Sequence, residues 1–298
     1  MRTSKLPRYL YKYRAFNVNA LRQLDLSEVY YADPSKFNDP LDSNPTIHVD
    51  TDLQSLERLL YRMLVKLSGK ERALKEMDNH RYMSTEYGDY KTDPETARYY
   101  TSRLADHVDR MLAAELGRHG VLSLGAKWDC PLMWSHYGDE HRGLCIQYDT
   151  SDSAFHNLKP VSYWRPRAVR ITDMIDWKIK GDTSAKDKVI DTYFFSKASQ
   201  WRYEREWRDL AESAGAGGAP AYVSAVLFGL RCDRTVINAI VRLHARSDRK
   251  VKFYAIRPFD GSFRLRRREI DTEEIESSGV RSPASLEFRD VFVDETDA

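Results

Sequence analysis

Hydrophobic positions divide the chain into a helical centre flanked by short strands. Leu53, Leu56, Leu59, Leu60, Met63, Leu64 and Leu67 recur three and four residues apart, which predicts an amphipathic helix with one buried face. A second long helix is expected after Asp93-Pro94, where a carboxylate can cap and proline needs no amide donor. Ala97, Tyr100, Leu104, Val108, Met111, Leu112 and Leu116 form its apolar stripe, and Gly117 or Gly120 ends it. Residues 50–118 thus read as almost wholly helical. Strands are predicted at 9–14, 29–32, 121–124, 144–148, 161–163, 205–210, 222–228, 251–256, 262–266 and 287–293. Shorter helices are predicted at 17–24 (capped by Asn17 or Asn19), 131–137, 185–199 and 235–245. The stretch AESAGAGGAP at 211–220 reads as a surface loop or hinge, and the acidic residues 294–298 as a frayed end. No internal repeat is found. Strands in both halves with helices inserted between them predict an α+β fold. It is expected as one domain over 1–298, with a mixed or antiparallel sheet core and a helical insertion at 50–118.

Composition narrows the function classes. No apolar run approaches the roughly 20 residues that span a bilayer. The opening MRTSKLPRYLYKYR lacks the apolar stretch of a signal peptide, so a cytoplasmic protein with no membrane partner is expected. Lys and Arg number 47 against 45 Asp and Glu, a net charge of +2 that gives no global attraction to nucleic acid. Cys130, Cys145 and Cys232 lack zinc-ligand spacing and read as reduced thiols. The 18 Tyr and 6 Trp sit repeatedly beside charged residues, which suits either an aromatic-lined polar cleft or amphipathic strands with alternate rings inward.

Four segments could carry chemistry. Phe37-Asn38-Asp39-Pro40 favours a turn, with Asn38 or Asp39 presented at a cleft mouth in the functional version. In Met133–Gly143, two histidines flank Asp139 and Glu140, but Gly138 interrupts the helix between them and the spacing is poor for a metal. Adjacent Ser135 and His136 diverge by about 100° on a helix, which disfavours a nucleophile pair. Trp134 is expected to pack, with Ser135, His136 and Tyr137 lining a pocket rim. Lys197 and Trp201–Arg208 form the third segment. On a strand, Glu204, Glu206 and Arg208 would share one face, either as a solvated edge or as a catalytic glutamate and its supporting acid in a cleft. The fourth is the basic run Arg264, Arg266, Arg267 and Arg268 near Lys250 and Lys252, which could meet phosphates but is followed directly by acidic residues.

These segments resemble the bacterial domain of unknown function 2971. The pattern runs through Leu10–Arg14, Tyr30-Tyr31-Ala32-Asp33-Pro34, Phe37-Asn38-Asp39-Pro40 and Leu122-Ser123-Leu124. It continues through Pro131–Tyr137, His141-Arg142-Gly143, Lys197, Trp201, Tyr203-Glu204 and Glu206-Trp207-Arg208. The likeness extends from about residue 9 to residue 268, and its W-S-H-Y and Y-E-x-E-W-R elements are the specific ones.

More distantly, the chain is similar to the ADP-ribosyltransferase superfamily. That resemblance implies the superfamily's fold, NAD as substrate, and a three-part signature around it. Lys12 stands where Arg or His is usual, a point charge in place of a planar group, with Arg14 as the other candidate. Tyr137 or Ser135 would fill the second role and Glu206 or Glu204 the third. Glu206 would stabilise the oxocarbenium character that develops when the nicotinamide–ribose bond breaks, with Glu204 orienting it or activating the acceptor. Lys12, Tyr13, Arg14, Asn38, Ser135 and His136 would contact the cofactor, and Tyr137 or Trp134 would stack on nicotinamide. No metal is needed for this chemistry. The implied partner is a macromolecular acceptor, protein or nucleic acid, in a toxin or phage-defence setting with a partner protein or antitoxin. Two other readings stand beside it: a non-catalytic nucleotide- or protein-binding module, and a nuclease or hydrolase built on His136, Asp139 and His141.

Overall fold

The computed structural model describes residues 5–85, 88–244 and 249–277. The first elements are β1 (Tyr9–Arg14), α1 (Val18–Asp25), β2 (Glu28–Tyr31), β3 (Thr46–His48), α2 (Leu53–Ser68), α3 (Lys70–Thr85) and α4 (Pro94–Leu116). Next come β4 (Gly120–Gly125), α5 (Pro131–Tyr137), β5 (Leu144–Asp149), β6 (Lys159–Pro160), β7 (Ala168–Arg170), α6 (Ile171–Lys178) and α7 (Thr183–Phe194). The last are β8 (Glu206–Ala211), β9 (Gly215–Gly218), β10 (Tyr222–Phe228), α8 (Arg234–His244), β11 (Lys252–Pro258), β12 (Leu265–Glu269) and α9 (Glu273–Ser277). They group into two compact units. The first holds β2–β4 with α2–α4, and β6–β9 with α6 and α7. The second holds most of β1, then α1, α5, β5 and everything from β10 onward.

In the first unit the expected amphipathic stripes build the core. Leu56, Leu59 and Leu60 of α2 cluster with Tyr100, Leu104, Val108 and Leu112 of α4, and with Ile171, Met174, Phe194 and Phe195. Both long helices start where the sequence predicts. The Asp52 carboxylate accepts from the Ser55 amide at 2.8 Å, and Asp93 accepts from Thr96 at 2.9 Å. Against this core β8 runs antiparallel to both β4 and β6, with Glu206 opposite Gly125, and Arg208 opposite both Ser123 and Lys159. Every β8 residue from Glu206 to Leu210 is buried, so the strand is central and its charged side chains are shielded from bulk water.

The second unit carries a sheet in the order β12-β11-β10-β5-β1. β10 is parallel to β11 and antiparallel to β5, and β11 is antiparallel to β12. The protein therefore has the mixed α and β architecture, with a mixed sheet and several helices, that the pattern predicts. Among the described residues no helix is long and apolar enough to cross a membrane.

Several expectations need correction. The glycine-rich stretch at 211–220 is not a loop throughout: β9 pairs with β2, Tyr31 opposite Gly215 and Glu28 opposite Gly218. Composition hid this strand, because its order comes from a partner about 190 residues away in sequence rather than from its own side chains. The strand expected at 161–163 lies earlier, at Lys159–Pro160. The helix expected at 185–199 ends at Phe194, and Ser199–Glu204 forms a separate 3₁₀ turn. The strand β7 and helix α6 had no predicted counterpart. The strand expected at 287–293 and the end at 294–298 lie outside the described residues.

Candidate functional site

The third sequence segment and the Phe37–Pro40 turn meet in the first unit. Arg205 takes a left-handed backbone, φ 46°, between the 3₁₀ turn and β8. Glu204 is therefore not on the strand with Glu206, as expected, but at the end of the preceding turn. That kink nonetheless aims both carboxylates at one ammonium. Lys197 Nζ donates to Glu204 Oε2 at 2.5 Å and to Glu206 Oε2 at 3.1 Å, and lies 3.3 Å from Asp42 Oδ2. Arg208 closes the cluster. Its Nε and Nη2 donate to the two oxygens of Glu206 at 2.8 and 2.9 Å. Its Nη1 and Nη2 donate to the two oxygens of Asp42 at 2.8 and 2.6 Å. Nη1 also donates to the Phe194 carbonyl at 2.7 Å, and the Phe37 ring lies 5.3 Å below the guanidinium.

All five charged side chains are at most 6% exposed. Three carboxylates face two cations, which leaves one negative charge in excess. Burial alone would raise the Glu206 carboxyl, but Arg208 and Lys197 outweigh it and hold it far below the usual carboxylate range. Burial likewise opposes charge on Lys197, and Glu206, Glu204 and Asp42 reverse that and push it up. Arg208 is raised in the same way, burial being outweighed by Glu206 and Asp42. Glu206 is thus a permanent anion and Lys197 a permanent cation at neutral pH. Neither is suited to exchanging protons there.

Glu206 also lines an open cleft of about 700 Å³, together with Tyr163, Arg202, Tyr203, Arg205 and Trp207 among others. The Glu206 amide donates to the Tyr163 hydroxyl at 2.9 Å, and burial helps push that hydroxyl up to about 12. Trp201 Nε1 donates to Asp39 Oδ2 at 2.8 Å, so the conspicuous turn residue Asp39 fixes a tryptophan. Asn38 is exposed beside it. Sequence reading missed Asp42 and Tyr163. Asp42 lies only two residues beyond the turn, but nothing in its spacing announces a partner 166 positions on.

The remaining predicted residues fall in the second unit and form a different kind of centre. Trp134 has no exposed surface, and Tyr13 is 5% exposed. Their rings meet edge-on at 5.1 Å, and His141 stacks on Trp134 at 6.0 Å. Trp134 Nε1 donates to the Trp128 carbonyl at 2.7 Å. Trp134 and Tyr13 are therefore core residues, and the expectation that Trp134 stacks on a ligand is corrected by its burial. Arg14 Nε donates to Gln23 Oε1 at 3.0 Å, and Gln23 in turn donates to the Tyr148 hydroxyl. Burial lowers the Arg14 guanidinium from its ordinary value. Lys12 and Tyr137 are half-buried, while Ser135 and His136 are exposed. Ser135 Oγ donates to the Pro131 carbonyl of its own helix, not to a histidine. Among the described residues, His136, Asp139 and His141 do not gather ligand atoms into a metal-sized group.

The turn that follows shapes the His141-Arg142-Gly143 element. Asp139, Glu140 and His141 all have positive φ, 50°, 51° and 69°. Their cost is offset by amides of Gly138 and His141 that both donate to the Trp134 carbonyl. A Cβ on Gly143 would lie 2.1 Å from the Arg14 carbonyl oxygen, so only glycine fits there.

Residues 133–208 match the model of a family described as a protein of unknown function, DUF2971. The matched segment begins in α5 and ends on Arg208, so it contains Trp134, Tyr137, Lys197, Glu204 and Glu206. It supports the family resemblance drawn from the motifs over that stretch, which is shorter than the span the motifs suggest. No curated protein and no solved structure matches the chain.

Proposed function

We propose that the first unit is a nucleotide-binding module whose ligand lies in the cleft beside Glu206. One observation carries the reading: Arg202 and Arg205 share that cleft with Tyr163, Tyr203, Trp207 and Glu206, whose carboxylate pairs with Lys197 and Arg208. Guanidinium groups suit phosphate oxygens, aromatic rings suit a base, and an anionic oxygen suits a ribose hydroxyl. NAD has all three chemical parts and is the first ligand to test. The proposal uses only first-unit residues. Arg14, which the resemblance would place on the ligand, is instead engaged with Gln23.

ADP-ribosyl transfer to a macromolecular acceptor is the second reading, favoured by the enforced ionisation of Glu206. A fixed anion is what a developing oxocarbenium needs, whereas a general base needs a titratable group. For transfer, Glu206 would share one oxygen between Arg208 and the ribose. The toxin or defence setting, and an antitoxin as partner, belong to this second reading.

Calorimetric titration of the full chain with NAD, together with nicotinamide release with and without host lysate, tests both. Binding without release supports the module. Release lost in a Glu206→Gln chain that still unfolds cooperatively supports transfer. No binding to the parent chain at millimolar NAD sinks the nucleotide reading.

A further inference from the structure

The helical block holds a cluster that neither the cleft nor the aromatic centre uses. Glu76 and His80 stand four apart on α3, which puts them on one helix face. His107 faces them from α4. His80 Nε2 and His107 Nδ1 are 2.7 Å apart, and one ligand atom from each of the three residues lies within 4.8 Å of the others. His80 is 3% exposed and its Nδ1 has no hydrogen-bond partner among the described residues. Its other nitrogen, Nε2, is the one that faces His107, so the two rings present adjacent nitrogens.

A packing role explains this poorly. The stripe that α3 buries is Ala73, Met77, His80 and Ser84, two small residues, one methionine and an imidazole where an apolar side chain would pack better. Two imidazoles and a carboxylate are instead the donors that a borderline-soft divalent cation takes. We propose that Glu76, His80 and His107 form a divalent transition-metal site of the zinc class that ties α3 to α4, with water completing four-coordination. Nitrogens each about 2.0–2.1 Å from zinc sit roughly 3.3 Å apart in a tetrahedron, so the imidazoles separate by about half an ångström on loading. His107 and Glu76 are half-buried, which leaves the metal a route in. Arg103 and Arg110 add positive charge around His80, and Glu76 supplies the opposing negative charge. The site is independent of the cleft.

The test uses the untagged full chain, stripped with chelator and titrated with zinc. One equivalent is expected to bind and to raise the melting temperature by several degrees. His107→Gln and Glu76→Gln are each expected to weaken binding at least tenfold, whereas His136→Gln leaves it unchanged. Cobalt(II) titrated into the parent chain is expected to give the intense visible bands of a four-coordinate ion, a readout that needs no variant to fold. Absence of those bands, or zinc affinity unchanged in His107→Gln, overturns the proposal.

Discussion

Arg208 in the first unit and Trp134 in the second are both almost without exposed surface, at 1% and 0%, and both lie in the segment that matches the family model. They are held by opposite means. Trp134 packs among rings and needs one partner, the Trp128 carbonyl, for its single polar atom. Arg208 needs Glu206 and Asp42 on two edges and the Phe194 carbonyl besides, and Glu206 and Asp42 also face Lys197. An aromatic centre tolerates local loosening because each contact is small. A buried charge cluster does not, since removing one member strands the others without water. The difference separates a scaffold from a site. Glu206 of the charged cluster lines a cleft, whereas Trp134 leaves no ring surface for a ligand.

The largest expected effect is therefore Arg208→Ala, which leaves Asp42 and Glu206 under-paired. It should cost about 3–5 kcal/mol in urea unfolding. Trp134→Ala should cost a similar ~3–5 kcal/mol through a cavity, but the two losses should part company with salt and pH. A Trp134→Ala loss that varied with pH as strongly as that of Arg208→Ala would erase the contrast.

Gly143→Ala comes next. The backbone carbonyl of Arg14 cannot move aside as a side-chain tip can, so a loss of about 1–3 kcal/mol is expected. A melting temperature equal to the parent's would show that the left-handed turn is not fixed by that approach.

The smallest effect is a slope. The folded-state value of Glu206 is depressed, so between it and the ordinary glutamate value near 4.3 the unfolded chain binds more protons. Stability from this group is thus fully present above about pH 4.3 and is lost as pH falls below it, by up to about 1.4 kcal/mol per pH unit. Unfolding curves of Glu206→Gln should lack that component, and Trp134→Phe should keep it. An identical acid slope in the parent and Glu206→Gln would mean that the carboxylate is not held ionised by Arg208 and Lys197.

Much of the fold was legible. The Leu53–Leu64 and Ala97–Leu116 stripes, the Asp93-Pro94 start and the strand at Tyr222–Phe228 follow from local periodicity and capping, which depend on residues within a turn or two, whereas Leu67, expected on the buried face, is exposed. What was not legible depends on distant partners. β9 is a strand because β2 lies beside it, and α6 begins where the Asp50 carboxylate accepts from the Thr172 amide, 122 positions away. The site divides the same way. Lys197, Glu204, Glu206 and Arg208 stand out by residue type and proximity, whereas Asp42 and Tyr163 do not. The metal-type cluster was equally hidden: the Glu76–His80 spacing is visible, but His107 joins only when two helices pack.

Sequence by itself determined the helical centre, the strands around it and the near-neutral charge, because periodicity, capping and residue type act locally. Only tertiary structure decided that Trp134 is interior, that the kink at Arg205 brings Glu204 and Glu206 onto one lysine, and that Asp42 completes the cluster. Those outcomes depend on burial and on long-range pairing. The environment a side chain ends in sets whether a carboxylate is a solvated charge, a proton carrier or a permanent anion.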